Sequence, residues 1–218
     1  MFFPEKIESI RTNDKVLEIG PGSTPYRRAN EFLEYRFKSE LDTIQQRGGI
    51  SSPPVFGERK VSYYTGEQMP FQDNEFDYVI ASHVIEHVLD PKVFMKEINR
   101  VGRGRGYIEF PLPPYDFLYD FDVHRHFVWF DEERNQLSYL PKTLSSISEF
   151  SAITRQLQKS LQLGWDDFIA QNRTFFFFGL EFDRPLAIVK RASLAEFKHE
   201  FSANGRTLKR RLVRRLLK

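Results

Sequence analysis

The sequence predicts an α/β fold with a doubly wound, mostly parallel sheet, followed by a basic amphipathic helix at the C-terminus. Three observations predict it. Short apolar strand candidates alternate with helical segments through the first half of the chain, the pattern that builds parallel sheets with crossover helices. The first strand candidate runs straight into Gly20-Pro21-Gly22. Asp90-Pro91 opens a segment whose apolar residues Phe94, Ile98 and Val101 recur at helical spacing, with a side-chain cap and then proline at the first helical position.

The elements follow in order. Lys15 to Ile19 is a short apolar strand, and Thr24-Pro25 reads as a helix start after the glycine turn. Glu31 to Tyr35 is a second strand candidate and Lys60 to Tyr64 a third, with a Gly-, Ser- and Pro-rich loop from Gly48 to Pro54 between them. Asp73-Asn74 is a turn, and Phe76 to Ala81 is a strand of the buried type. The glycines from Gly102 to Gly106 end the helix that Asp90 begins. Tyr107 to Phe110 is the next strand, stopped by the prolines from Pro111 to Pro114. Beyond Tyr115 the pattern weakens, with strand candidates at Phe175 to Phe182 and Leu186 to Val189 and helix from Ala192. One domain over residues 1–190 and a tail over 191–218 are expected.

Composition narrows the class. The chain has 218 residues, 40% of them hydrophobic, enough for a full core. It has no cysteine, which excludes disulfides, thiolate zinc sites and cysteine nucleophiles. The N-terminus lacks a basic region followed by a long apolar stretch, and no apolar run is long enough to span a bilayer. A cytoplasmic location is expected. The net charge is +2, yet Arg206 to Lys218 holds seven basic residues and no acid, so the rest of the chain is mildly acidic. That balance argues against a nucleic-acid-binding core.

Val16-Leu17-Glu18-Ile19-Gly20-Pro21-Gly22 carries the functional reading. In an open α/β sheet, ligands bind beyond the carboxyl ends of the strands. A glycine turn there lets a ligand approach the backbone, and an acid beside it can balance an ammonium group. A dinucleotide site wants a third glycine three residues after Gly22, where this chain has Pro25.

The segment resembles motif I of class I S-adenosylmethionine-dependent methyltransferases, specifically the type 11 methyltransferase domain. Met69-Pro70-Phe71 with Phe76-Asp77-Tyr78-Val79, then Glu86-His87-Val88-Leu89-Asp90-Pro91, resembles a second block of that family. The resemblance spans residues 14 to 114 and implies a Rossmann-like methyltransferase fold with S-adenosyl-L-methionine as cofactor. It places Glu18, Gly20, Pro21 and Gly22 at the methionine end of the cofactor. It places Glu34, the acid of the second strand, on the ribose hydroxyls. An acid that many members carry before the Met69 element is replaced by Thr65, which leaves the backbone of Gly66 and Glu67 for the adenine. Ser82 and His83 face the cofactor after the fourth strand, with His83 near the transferred methyl.

Methyl transfer from a sulfonium needs alignment of the acceptor and, for a hydroxyl, removal of its proton. His124-Arg125-His126 is the best polar cluster for that work. Either histidine suits a base near neutral pH, and as alternate strand residues the two would share a face. The nearby Asp116, Asp120 and Asp122 read as solvated. His83-x-x-Glu86-His87 matches an inverted zinc-protease pattern, but no third ligand is evident in the sequence. The stretch also resembles ubiquinone-pathway O-methyltransferases that hold a divalent cation with acidic residues and a histidine, where Glu86 and His87 match and His83 replaces an acid, so no metal is expected.

Leu208, Leu212 and Leu216 fall on one side of a basic helix. Docking on a protein surface, fraying, and peripheral contact with an anionic inner membrane surface stay open, and nucleic acid is the least favoured. The expected activity is O-methylation of a small molecule, sugar or lipid-linked glycan. The alternative is a methyltransferase-fold protein that binds without catalysis.

Overall fold

A computed structural model of the chain describes residues 1–46, 54–144 and 157–197. In chain order, strand β1 is Val16–Ile19, β2 Glu31–Tyr35, helix α1 Glu40–Gln46, β3 Lys60–Tyr64 and β4 Tyr78–Ser82. Helix α2 is Pro91–Val101, β5 Gly106–Pro111, α3 Pro113–Tyr119, β6 His126–Asp131 and β7 Gln136–Pro141. Helices α4, Asp166–Gln171, and α5, Arg173–Phe176, precede β8, Phe177–Phe182, and β9, Ile188–Lys190.

The main sheet has the order β3-β2-β1-β4-β5-β8. Its first five strands run parallel, and β8 pairs with β5 antiparallel. The predicted mostly parallel α/β fold is the observed one. A second, three-stranded sheet, β6-β7-β9, was not foreseen.

One face of the main sheet carries Leu17, Ile19, Leu33, Val79, Ala81, Ile108 and Phe110. They pack against Phe94, Met95, Ile98 and Val101 of α2 and against Val128, Phe130 and Leu137 of the second sheet. Met69 and Phe71 plug the edge of this core. Arg100 holds them there, donating to the Met69 and Phe71 carbonyls at 3.1 and 2.8 Å while pairing with Glu97 at 2.6 Å. The other face carries Val16, Tyr78, Ile80 and Tyr107 and is closed by Ile7, Ile10 and Tyr26. An N-terminal segment thus covers this face.

The helix expected after Thr24 does not form: residues 20–30 are a run of turns. β1 and β2 are neighbours joined by only 11 residues, and side chains rather than helical bonds satisfy this crossover. Glu18 accepts from the Tyr26 N–H at 2.7 Å, and the Val16 N–H donates to Asn30 Oδ1 at 2.8 Å. Arg59 donates to the carbonyls of Tyr26 and Ala29. Two strand bounds also move: the fourth begins at Tyr78, and the Phe175 candidate becomes a helical turn before β8. Leu194–Glu196 is a 3-10 turn. The basic helix around Leu208, Leu212 and Leu216 lies outside the described residues, as does most of the loop from Gly48 to Pro54. Among the described residues no helix is long and apolar enough to cross a membrane.

Helix α2 starts as predicted. Asp90 Oδ1 accepts from the N–H groups of Lys92 and Val93 at 2.8 and 3.3 Å, and Pro91 fills the first helical position. Asp90→Ala leaves both donors to water. Urea denaturation should show a loss of about 1 kcal/mol, whereas unchanged stability would mean the cap contributes nothing.

Candidate active site at the carboxyl edge of the sheet

The strand order reverses between β1 and β4, so a crevice opens beyond their carboxyl ends. Ile19 pairs with Leu33 on one side and Ala81 on the other, which brings Gly20 level with Glu34 and Ser82. Gly20 and Gly22 both have φ +59°, the left-handed region that suits glycine. A Cβ at Gly20 would stand 2.8 Å from Val84 Cγ2. Pro21 between them is buried.

Two carboxylates flank this turn. Glu18 and Glu34 are 4% and 6% exposed, a depth of burial uncommon for acids. Burial pushes the Glu18 carboxyl up to about 7; the Tyr26 N–H and Arg59 oppose the rise and the Glu34 charge adds to it. Beyond β2 and β3 lies a cavity of about 320 Å³ walled by Glu34, Tyr35, Arg36, Phe56 and Tyr63. Gly66 packs near Tyr35 on its rim, and Thr65, Gly66 and Glu67 are exposed there. A broader depression of about 500 Å³ beside Lys60 and Glu75 lies at the amino end of β3, away from the glycine turn.

On the other side of the crevice, Glu109 of β5 is fully buried and accepts five hydrogen bonds. They come from the N–H groups of Phe2 and Phe3 at 2.7 and 2.9 Å, Ser82 Oγ at 3.0 Å, His83 Nε2 at 2.9 Å and the Tyr107 hydroxyl at 2.5 Å. Burial alone would raise its pKa, but His83 and Tyr107 outweigh that and hold it at about 2. His83 has φ +56°, a strained conformation for a residue other than glycine. Its Nδ1 lies 3.5 Å from Glu86 Oε1. Burial would lower its pKa, yet the Glu109 bond and the Glu86 charge carry it up to about 9. Phe2 and Phe177 pack edge-on against its ring.

Behind His83 sits a second polar group. Glu86 is fully buried. His87 Nε2 is 3.7 Å from Glu86 Oε1, and the His87 and His124 rings meet at 4.6 Å between centroids. His87 Nδ1 donates to the Val123 carbonyl at 3.1 Å, and His124 Nδ1 bonds Asp116 Oδ1 at 2.5 Å. Burial, foremost, lowers the His87 pKa to about 4. Burial also raises Asp116, against the pull of His124. Burial would raise Glu86 too, but the surrounding histidines bring it down to about 2.

The structure therefore brings Glu18, Gly20, Pro21, Gly22, Glu34, Ser82 and His83 to one edge, with Thr65 to Glu67 on the cavity rim. It separates His124 from His126. β6 starts only at His126, so the two do not alternate along a strand. His126 Nε2 bonds the Val88 carbonyl at 3.0 Å and its ring packs on Tyr139. Asp116, expected to be solvated, is fully buried because α3 turns it inward onto His124. Glu109 escaped the sequence reading altogether. Its one signal was an acid inside the apolar run Tyr107-Ile108-Glu109-Phe110.

Residues 52–110 match the family model described as a methyltransferase domain. An uncharacterized protein of Methanocaldococcus jannaschii is 28% identical over 112 residues, covering 50% of each chain. The chain thus spans about half the length of that curated relative. A SAM-dependent methyltransferase of Thermotoga maritima aligns over 56% of this chain and 61% of its own, with 20% identity and a TM-score of 0.39. One from Mesorhizobium loti aligns over 58% and 56%, with 12% identity and a TM-score of 0.35.

The raised His83 pKa carries a stability consequence. A histidine whose pKa is about 9 when folded stabilises fully below its unfolded value near 6.5, and the contribution fades as pH rises through 9. Urea denaturation at several pH values should show the gap between wild type and His83→Gln narrowing across that window. A constant gap would mean His83 is not held protonated.

Proposed function

We propose that this chain, recognised as a class I methyltransferase by its matched segment and its strand order, binds S-adenosylmethionine at the glycine turn and methylates an acceptor oxygen. One observation carries the reading: a left-handed glycine turn at the strand-order reversal, flanked by the buried carboxylates Glu18 and Glu34. S-adenosylmethionine brings an ammonium group and two ribose hydroxyls. Glu18, whose burial leaves it close to half-protonated at neutral pH, gains a cation that favours its ionised form. Glu34 accepts from the ribose hydroxyls, which places the nucleoside in the adjoining cavity. The non-helical crossover supports the same choice. With no helix N-terminus after Gly22, the turn lacks the anion site on which a dinucleotide pyrophosphate rests.

The transfer itself is an in-line displacement in which the acceptor oxygen forms its bond to carbon as the sulfonium leaves. Ser82 and His83 border the methyl side. His83, held protonated by Glu109 and Glu86, is a poor base at neutral pH. The candidate base for the acceptor proton is then His124, oriented through Nδ1 by Asp116. The acceptor we propose is a small molecule, sugar or lipid-linked glycan. Peripheral contact with an anionic surface through the basic tail rests on sequence alone. A second reading, cofactor binding without turnover, is favoured by Phe2, which stacks on Phe177 at 3.9 Å and covers His83.

Calorimetric titration should give micromolar affinity for S-adenosylhomocysteine and none for NAD. Gly20→Val, strained at φ +59° and crowded by Val84, should abolish binding. Glu34→Ala should weaken it roughly 10- to 100-fold, since hydrogen bonds to a charged group contribute about 1.5–3 kcal/mol. Unchanged affinity in both variants would refute the site, and binding without turnover on any hydroxyl acceptor would select the second reading.

A further inference from the structure

We propose that Glu86, His87 and His124 form a binding site for a divalent first-row transition cation. Each offers one ligand atom, and the three atoms lie within 4.8 Å of one another. Side-chain rotation can close that triangle onto bonds of about 2.0–2.2 Å. The third ligand that the His83-x-x-Glu86-His87 pattern lacked in sequence is supplied by His124, 37 residues after His87.

Two independent features point to a cation. Both oxygens of Glu86 are buried without any hydrogen-bond partner. An ionised carboxylate in that state is strongly unfavourable unless a positive charge satisfies it. His83 directs Nε2 to Glu109 at 2.9 Å, and its Nδ1 and the Nε2 of His87 stand 3.5 and 3.7 Å from Glu86 Oε1. The second feature is the orientation of both imidazoles. The Val123 carbonyl fixes the Nδ1–H of His87, and Asp116 holds Nδ1 of His124. Each ring then has Nε2 left for a metal, with the carbonyl and carboxylate partners that orient histidine ligands in metal sites. The loops carrying these residues are locked together, since the N–H groups of Arg125 and His126 donate to the Glu86 carbonyl at 2.7 and 3.2 Å.

Two imidazoles and one carboxylate suit Zn²⁺, Mn²⁺, Fe²⁺ or Co²⁺ better than Mg²⁺ or Ca²⁺, which prefer all-oxygen shells. Three protein ligands leave positions open for a further oxygen. The role of the cation rests on the methyl-transfer reading, whereas its existence does not. A cation held by these three residues would lower the pKa of a bound acceptor hydroxyl, whose proton would pass to water. That oxygen would then form the new O–C bond as the S–C bond breaks, sulfur keeping the electron pair as a neutral thioether. His124 serves here as a ligand instead of a base.

The test uses the untagged chain, stripped with EDTA, dialysed against Zn²⁺ or Mn²⁺ and assayed by elemental analysis and calorimetry. One equivalent of cation per chain is expected, with a rise in melting temperature. Glu86→Gln and His87→Gln should each abolish stoichiometric binding. Asp116→Asn should weaken it about 10- to 100-fold, as loss of a partner to a histidine ligand does. Circular dichroism reports folding in each variant and should match wild type. No stoichiometric cation in the folded wild type, or equal affinity in the ligand variants, would overturn the proposal. Cation binding without S-adenosylhomocysteine binding would refute the cofactor reading and leave the metal site standing.

Discussion

Glu109 is the buried charge on which the carboxyl edge of the sheet depends. A carboxylate taken out of water must be met by donors, and removing one partner of a buried charge costs about 3–5 kcal/mol. Here the donors come from three separate places: the N-terminal residues, the end of β4 and β5 itself. Satisfying Glu109 therefore pins the N-terminal segment across the sheet. It also holds His83 in a backbone conformation it would not otherwise keep. The loop after His83 is directed from that point, and it carries Glu86 and His87.

The two sides of the crevice differ in their physics. Around Gly20 the sheet offers buried acids and an open backbone, a setting for cationic and hydroxyl groups of a nucleoside ligand. Around His83 it offers a chain of alternating charge, Glu109 to His83 to Glu86, that ends in two oriented imidazoles.

Much of the first half was legible from sequence because local and global preferences agree there. The Asp90 cap and Pro91 set the start of α2, and the five residues Lys60 to Tyr64 form β3 as read. Thr24-Pro25 misled because a cap and a proline are local signals. The short crossover between adjacent parallel strands, tied by Glu18, Asn30 and Arg59, overrides them. The second sheet was unreadable because its strands pair β7 with β9, about 50 residues away. The glycine turn and Glu34 were visible as motif residues. Glu109 and Asp116 were not, since their burial is set by partners that sequence spacing does not reveal: residues 2 and 3 for one, a left-handed helix end at Asp120 and His124 for the other. Likewise, the pairing of His124 with His87 depends on a loop contact at Val123.

The most direct test of the central claim is a crystal structure of the chain with S-adenosylhomocysteine. The proposed cofactor reading predicts the ribose hydroxyls on Glu34, the amino group beside Glu18 and the sulfur facing Ser82 and His83. A ligand seated elsewhere, or an ordered crystal grown at saturating S-adenosylhomocysteine with the crevice between β1 and β4 empty, would contradict it.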